Sequence, residues 1–196
     1  MSGRLEALRE SLPEFARDAA INLANVLGPG RLDESRRWGV AIAAAAATRT
    51  ATLLDALVEE GLRRVGRAVV DDALAAASLM AMNNVYYRFR HFMQPIEAAY
   101  AERPARLRMQ RIGRPATNPT DFELFCLAAS AVGGCEACVR AHERAVRERG
   151  LSVDDIHEAI RIAAAVCSAA VGVELGRLPS LEGAATPAGG MPVRTT

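Results

Sequence analysis

Apolar residues recur at intervals of three and four from the start of the chain. Leu5, Leu8, Leu12, Phe15, Ala19, Leu23, Val26 and Leu27 form such a series, which a helix gathers into one stripe and a strand would scatter over both faces. Composition points the same way. About one residue in five is Ala, all 24 basic residues are Arg and aromatics make up 5%. Ala and Arg stand near the top of the helix scale, whereas strands favour aromatic and β-branched side chains. The expected fold class is all-α.

Punctuation then divides the chain into helices. Pro13 suits the first turn of a second N-terminal segment, and Gly28-Pro29-Gly30 stops that segment. Asp33 or Ser35 is placed to cap the next helix, whose Trp38, Ile42 and Ala run would let a neighbouring helix approach closely. Helices are predicted over 50–62, 67–83 and 86–101. The breakers Pro104, Gly113, Pro115 and Pro119 follow, and Asp121 is expected as a cap. Further helices are predicted over 122–132, 135–149 and 153–175.

With 196 residues the chain is long enough for one domain with a substantial core. The expected organisation is a helical domain over 1–181. Its N-terminal scaffold half runs to about residue 101 and its C-terminal half, which carries the chemistry, starts at about 121. A disordered tail is expected over 182–196, where Gly, Pro and Thr dominate. Val70-Asp71-Asp72 and Val153-Asp154-Asp155 both open Ala-rich helices 83 residues apart, a hint that the two halves are related units.

A net charge of +1 gives no basis for nucleic-acid binding. The N-terminus has no signal-like apolar stretch, and the run Trp38–Ala47 is far short of the roughly 20 residues that span a bilayer. No membrane association is expected, and the predicted location is cytoplasmic.

Four cysteines are too few to staple a chain of this size, and in a reducing compartment a close pair points to redox chemistry or metal binding. Cys135 and Cys138 are three residues apart and His142 is four further on, so on a helix all three share one face. Gly133-Gly134 puts Cys135 in the first helical turn, where unpaired N–H groups and the helix dipole favour a thiolate. If the preceding helix packs beside this one, Glu123 can accept a hydrogen bond from one nitrogen of His142 and leave the other to take a thiol proton, directly or through water; by position alone it reads equally as a plain first-turn carboxylate favoured by the helix dipole. Together they make a set of nucleophile, base and orienter.

The competing reading makes Cys135 and Cys138 half of a zinc site, with His142 and a distant ligand completing it. Cys126 and Cys167 sit in apolar stretches and read as small buried hydrophobes. Met80, Met82, Tyr86, Tyr87, Phe89 and Phe92 read as packing, with a subunit interface the favoured form. His91 and His157 read as surface or packing residues. The arginines at 103, 106, 108, 111 and 114 read as a solvated connection whose Leu107, Met109 and Ile112 tuck inward.

Glu123, eleven intervening residues, C-E-A-C and His142, within FELFCLAASAVGGCEACVRAHE, resemble the active-site signature of the AhpD family in the carboxymuconolactone decarboxylase-like superfamily. LPEFARDAAINLANV, WGVAIAAAAATR, LMAMNNVYYRFR and LRMQRI extend the resemblance over most of the chain. It implies an all-helical homotrimer and an antioxidant thiol peroxidase or disulfide reductase acting on alkyl hydroperoxides.

In the implied roles Cys138 attacks the peroxide and becomes a sulfenic acid. Cys135 resolves it into a Cys135–Cys138 disulfide, and His142 and Glu123 relay protons. The implied reductant is a dihydrolipoyl group, a visiting co-substrate rather than a bound cofactor. It would be carried by the acyltransferase of a 2-oxoacid dehydrogenase, with dihydrolipoamide dehydrogenase upstream and the peroxiredoxin AhpC as a further partner. No metal is implied. Some AhpD proteins have His just before the second cysteine, where this chain has Ala137. The alternatives are a carboxymuconolactone decarboxylase-like enzyme and a metal-binding assembly module.

Overall fold

A computed structural model of the chain describes residues 3–182, so the tail predicted over 182–196 lies outside the described residues from 183 onward. Among the described residues every regular element is helical. In chain order they are α1 (Gly3–Glu10), a 3₁₀ turn (Glu14–Ala16), α2 (Arg17–Leu27), α3 (Glu34–Thr48), α4 (Ala51–Arg64) and α5 (Gly66–Met93). After the short α6 (Ala99–Glu102) and a second 3₁₀ turn (Gln110–Gly113) come α7 (Pro119–Val132), α8 (Glu136–Glu148), α9 (Val153–Leu175) and the short α10 (Pro179–Glu182).

Two helices form the centre. Residues 37–45 of α3 and 121–130 of α7 are buried almost all round, Glu123 being the partly exposed position, the signature of core helices rather than of amphipathic surface ones. They pack against each other and against α5, with α9 also touching both. Small side chains make the close approach possible: a Cβ on Gly39 would enter the Phe125 ring, so α7 seats an aromatic ring on the bare backbone of α3. Helices from both sides of the breaker-rich segment thus share one hydrophobic core. At the 83-residue offset, α3, α4 and α5 start within about four residues of where α7, α8 and α9 start.

Two boundaries differ from the sequence reading, and a third settles an alternative it left open. The helices predicted over 67–83 and 86–101 are one continuous α5 that ends at Met93, two residues before Pro95. Asn83 and Asn84 are weak helix formers, but both are buried, and packing overrides propensity there. At α3 the cap is Asp33, which accepts from the Arg36 amide at 2.9 Å. At α7 the cap is Asn118 rather than Asp121. Its side chain accepts the Asp121 N–H at 2.9 Å, and Pro119 occupies the first turn, where its missing N–H costs nothing.

By length and composition α9 is apolar enough to cross a membrane, the one such helix among the described residues, and half of that stretch is buried inside the protein. The sequence reading passed over it because Asp154, Asp155, Glu158 and Arg161 interrupt its first half.

One buried carboxylate ties the connection between the halves to the core. Asp72, on α5 and fully buried, accepts from Arg111 Nη2 (2.7 Å), the amides of Ala116 (2.9 Å) and Thr117 (2.7 Å), and the Thr117 hydroxyl (2.8 Å). Burial alone would raise its pKa, but these donors and the Arg111 charge together hold it below the usual carboxylate value. Arg111, read as part of a solvated basic run, is therefore a structural ion-pair partner.

A carboxylate held low in the folded state stabilises above the ordinary Asp pKa, and that stability is lost as pH falls through the folded value. Asp72→Asn is expected to lower the unfolding free energy by about 2–4 kcal/mol at neutral pH. Urea titrations should show the gap between variant and wild type narrowing below about pH 4. A gap independent of pH would contradict this role.

Candidate active site

The turn between α7 and α8 is set by two glycines. Gly133 closes α7, and Gly134 takes a positive φ of 63°, a conformation that costs glycine little. The Gly134 N–H reaches the Ala131 carbonyl (3.2 Å) and the Cys135 N–H reaches that of Ser130 (3.3 Å), the paired bonds of a Schellman ending. Cys135 thus terminates α7 and also caps α8. Its sulfur accepts the Cys138 amide at 3.4 Å, which makes it the N-cap rather than a first-turn residue. Cys138 lies in the first turn. The two cysteines are joined as a disulfide, with Cα atoms 5.3 Å apart.

One turn further along α8, His142 Nδ1 lies 2.6 Å from Glu123 Oε2 of α7, with both side chains largely buried. The structure therefore lines up Cys135, Cys138, His142 and Glu123 along the seam between α7 and α8, from the glycine turn toward the start of α7. Its surprise lies on the other side of the imidazole. His142 Nε2 sits 3.1 Å from the sulfur of Met80 on α5, where the sequence reading placed a thiol. Met80, assigned to packing, is fully buried and belongs to the site.

The two sulfurs have unequal access. Cys135 is 0% exposed and Cys138 5%. Cys138, but not Cys135, lines a cavity of about 200 Å³ whose other walls are Asn83, Tyr87, Met109, Ala137, Ala141 and His142. Solvent and a small substrate thus have a path to Cys138. Ala137, the residue just before the second cysteine, contributes an apolar wall. Asn83, Tyr87 and Met109 were not identified as site residues from the sequence. Met109 was read as tucking inward, and the pairing of a Met and aromatic stripe with an otherwise polar dipeptide was the one available signal.

The remaining cysteines differ from this pair. Cys126 is fully buried in α7, and burial, followed by the nearby charges of Glu123 and Asp72, pushes its thiol pKa far up. Cys167 is only partly buried, not the fully buried hydrophobe expected. His91 pairs loosely with Glu136 at 3.5 Å and His157 is exposed, so neither joins the site. Among the described residues no three His, Cys, Asp or Glu side chains are grouped to hold a metal ion.

Comparison with known proteins agrees with this geometry in kind. The model of the carboxymuconolactone decarboxylase family matches residues 98–173. A protein of Anaeromyxobacter sp. (strain K) described as alkyl hydroperoxide reductase AhpD is 56% identical over 185 residues, covering 94% of this chain and 98% of the relative. Proteins of the same description from Beijerinckia indica and Azorhizobium caulinodans are 43% and 45% identical, over 89% and 87% of this chain and 96% and 93% of their own lengths.

Access and burial predict thiol reactivity. In the reduced, folded protein a small alkylating reagent should modify the partly exposed Cys167 and the cavity-facing Cys138 ahead of Cys135, and leave Cys126 untouched until the chain is unfolded. Peptide mapping after timed alkylation measures this, and early labelling of Cys126 would contradict the burial argument.

Proposed function

The chain belongs to the AhpD family of alkyl hydroperoxide reductases, and we propose that it reduces organic hydroperoxides at Cys138 and is recharged by dihydrolipoyl groups. The observation that carries this reading is the cavity shared by Cys138 and His142, with Glu123 bonded to the far side of the imidazole.

In the cycle the Cys138 thiolate forms a bond to the terminal peroxide oxygen and the O–O bond breaks. The sulfur gives up two electrons and becomes a sulfenic acid, and the departing alkoxide takes a proton held on the His142–Glu123 pair and leaves as alcohol. The Cys135 thiol then attacks the sulfenic sulfur. The S–S bond forms and the hydroxyl leaves as water with the thiol proton. Two thiols of a dihydrolipoyl group return two electrons and two protons and are themselves oxidised to the cyclic disulfide. In the disulfide form the His142 Nε2 rests against Met80, so proton exchange with Cys138 runs across the common cavity rather than through direct contact.

The lipoyl carrier is proposed to be the acyltransferase of a 2-oxoacid dehydrogenase, with dihydrolipoamide dehydrogenase upstream and AhpC as a second electron acceptor. A reducing cytoplasm suits such thiol turnover. A homotrimer is proposed as the working assembly. It is supported by a row of exposed apolar side chains at helical spacing along and beyond α5, Val85, Phe89 and Phe92 continuing to Ile96, which a lone protomer would leave in water.

The reading is tested with NADH, dihydrolipoamide dehydrogenase, a lipoyl protein and peroxide, with and without AhpC. Cys138→Ser should abolish turnover, and Cys135→Ser should stop at a trapped sulfenic acid. Glu123→Gln and His142→Phe should each lower the rate by about 10²-fold or more. Wild-type rates in all four would discard the assignment, and turnover of a small organic acid that survives Cys135→Ser would favour a decarboxylase-like activity. For the assembly, Phe92→Glu should convert trimer to monomer in sedimentation equilibrium, and an unchanged mass would remove that face from the interface.

A further inference from the structure

The cavity beside Cys138 is mostly apolar, with Met109, Ala137, Ala141 and the Tyr87 ring in its walls, and besides the sulfur its lining residues with polar side-chain groups are His142, Asn83 and Tyr87. Asn83 is 5% exposed, and its peptide oxygen lies 3.9 Å from the Cys138 sulfur. Its side-chain oxygen is buried and has no hydrogen-bond partner. The next residue makes the contrast. Asn84 is equally buried, but its side-chain oxygen accepts from the Ser130 hydroxyl at 3.1 Å. A buried amide oxygen without a donor has given up its water without a replacement, and such atoms are rare in folded proteins unless a ligand or function completes them.

We propose that Asn83 is a substrate-binding residue whose side-chain amide holds the hydroperoxide group against Cys138. The inference rests on the peroxidase reading above. A primary amide offers an acceptor and two donors, and its terminal torsion is soft enough to turn either edge toward the cavity. The carbonyl accepts from the terminal O–H of the peroxide. The NH₂ group donates to the inner oxygen, where negative charge collects as sulfur bonds to the terminal oxygen and the O–O bond gives way. The electron pair of that bond leaves on the inner oxygen, which is then protonated to the alcohol. The organic group lies against Tyr87, Met109, Ala137 and Ala141. Asn83 therefore acts in the oxidative half of the cycle only.

That restriction supplies the test. Full-length protein is reduced and mixed with tert-butyl hydroperoxide while free thiols are followed, and the disulfide form is separately reduced with dihydrolipoamide. Asn83→Leu keeps the shape and removes the polar atoms. It should slow oxidation by roughly 10- to 100-fold and leave reduction within about twofold of wild type, since binding of the peroxide alone is lost. Asn83→Ser should recover part of the loss. An unchanged oxidation rate in Asn83→Leu, or equal loss in both halves, overturns the proposal. If Asn83→Leu does not fold, the wild-type protein answers instead: titration with tert-butanol, an unreactive product, should move the Asn83 side-chain amide resonances, and their constancy overturns it. Wild-type protein inert to the peroxide would remove the peroxidase reading itself, whereas an active wild type matched by Asn83→Leu removes Asn83 alone.

Discussion

Helix α5 can lie against the turn between α7 and α8 because residue 133 has no side chain. A Cβ there would enter the amide of Asn84, which is itself held by Ser130, while Arg88 from the next turn of α5 donates to the Gly133 carbonyl at 2.9 Å. This approach builds the site. It brings the peptide oxygen of Asn83 beside the Cys138 sulfur, lays the Met80 sulfur against His142 and sets Tyr87 into the cavity wall. Helices α7 and α8 supply the sulfurs, the imidazole and the carboxylate. The surroundings in which those groups act come from a helix some fifty residues earlier in the chain.

Burial sorts the chemistry within this frame. The Glu123–His142 pair is only slightly exposed, so its hydrogen bond is less weakened by water than a surface pair would be. Cys126, three residues from Glu123, is sealed inside α7 and kept as an inert thiol. Cys138 stands at a cavity. Asp72 extends the order outward by fixing the segment at 111–117, just after Met109, to the core.

Local spacing made the cysteines and His142 legible, because residues three and four apart on one helix must be neighbours wherever that helix packs. Glu123 was not fixed by the same logic: an acidic residue in the first turn of a helix is accounted for by the helix dipole alone, and the family signature was what pointed to it. Met80, Asn83, Tyr87 and Met109 were not legible as site residues. Their contacts with the site span long stretches of sequence, and Met and aromatic residues on a helix look alike whether they fill a core or line a pocket. The continuity of α5 was hidden for a related reason: two asparagines read as a break when their buried partners are unknown. Asn118 was overlooked as a cap because the proline after it reads as a helix breaker, although that position is one of the few where a helix accepts proline.

The unequal burial of the two sulfurs has a kinetic meaning. With Cys135 sealed and Cys138 alone facing the cavity, an oxidant and a reductant of this pair must use the same doorway and meet the same atom. Neither can wait inside while the other reacts. On the proposed cycle the enzyme alternates between its two customers one at a time, and an excess of either competes with the other for entry. On that cycle, the single doorway imposes a ping-pong order on the two half-reactions.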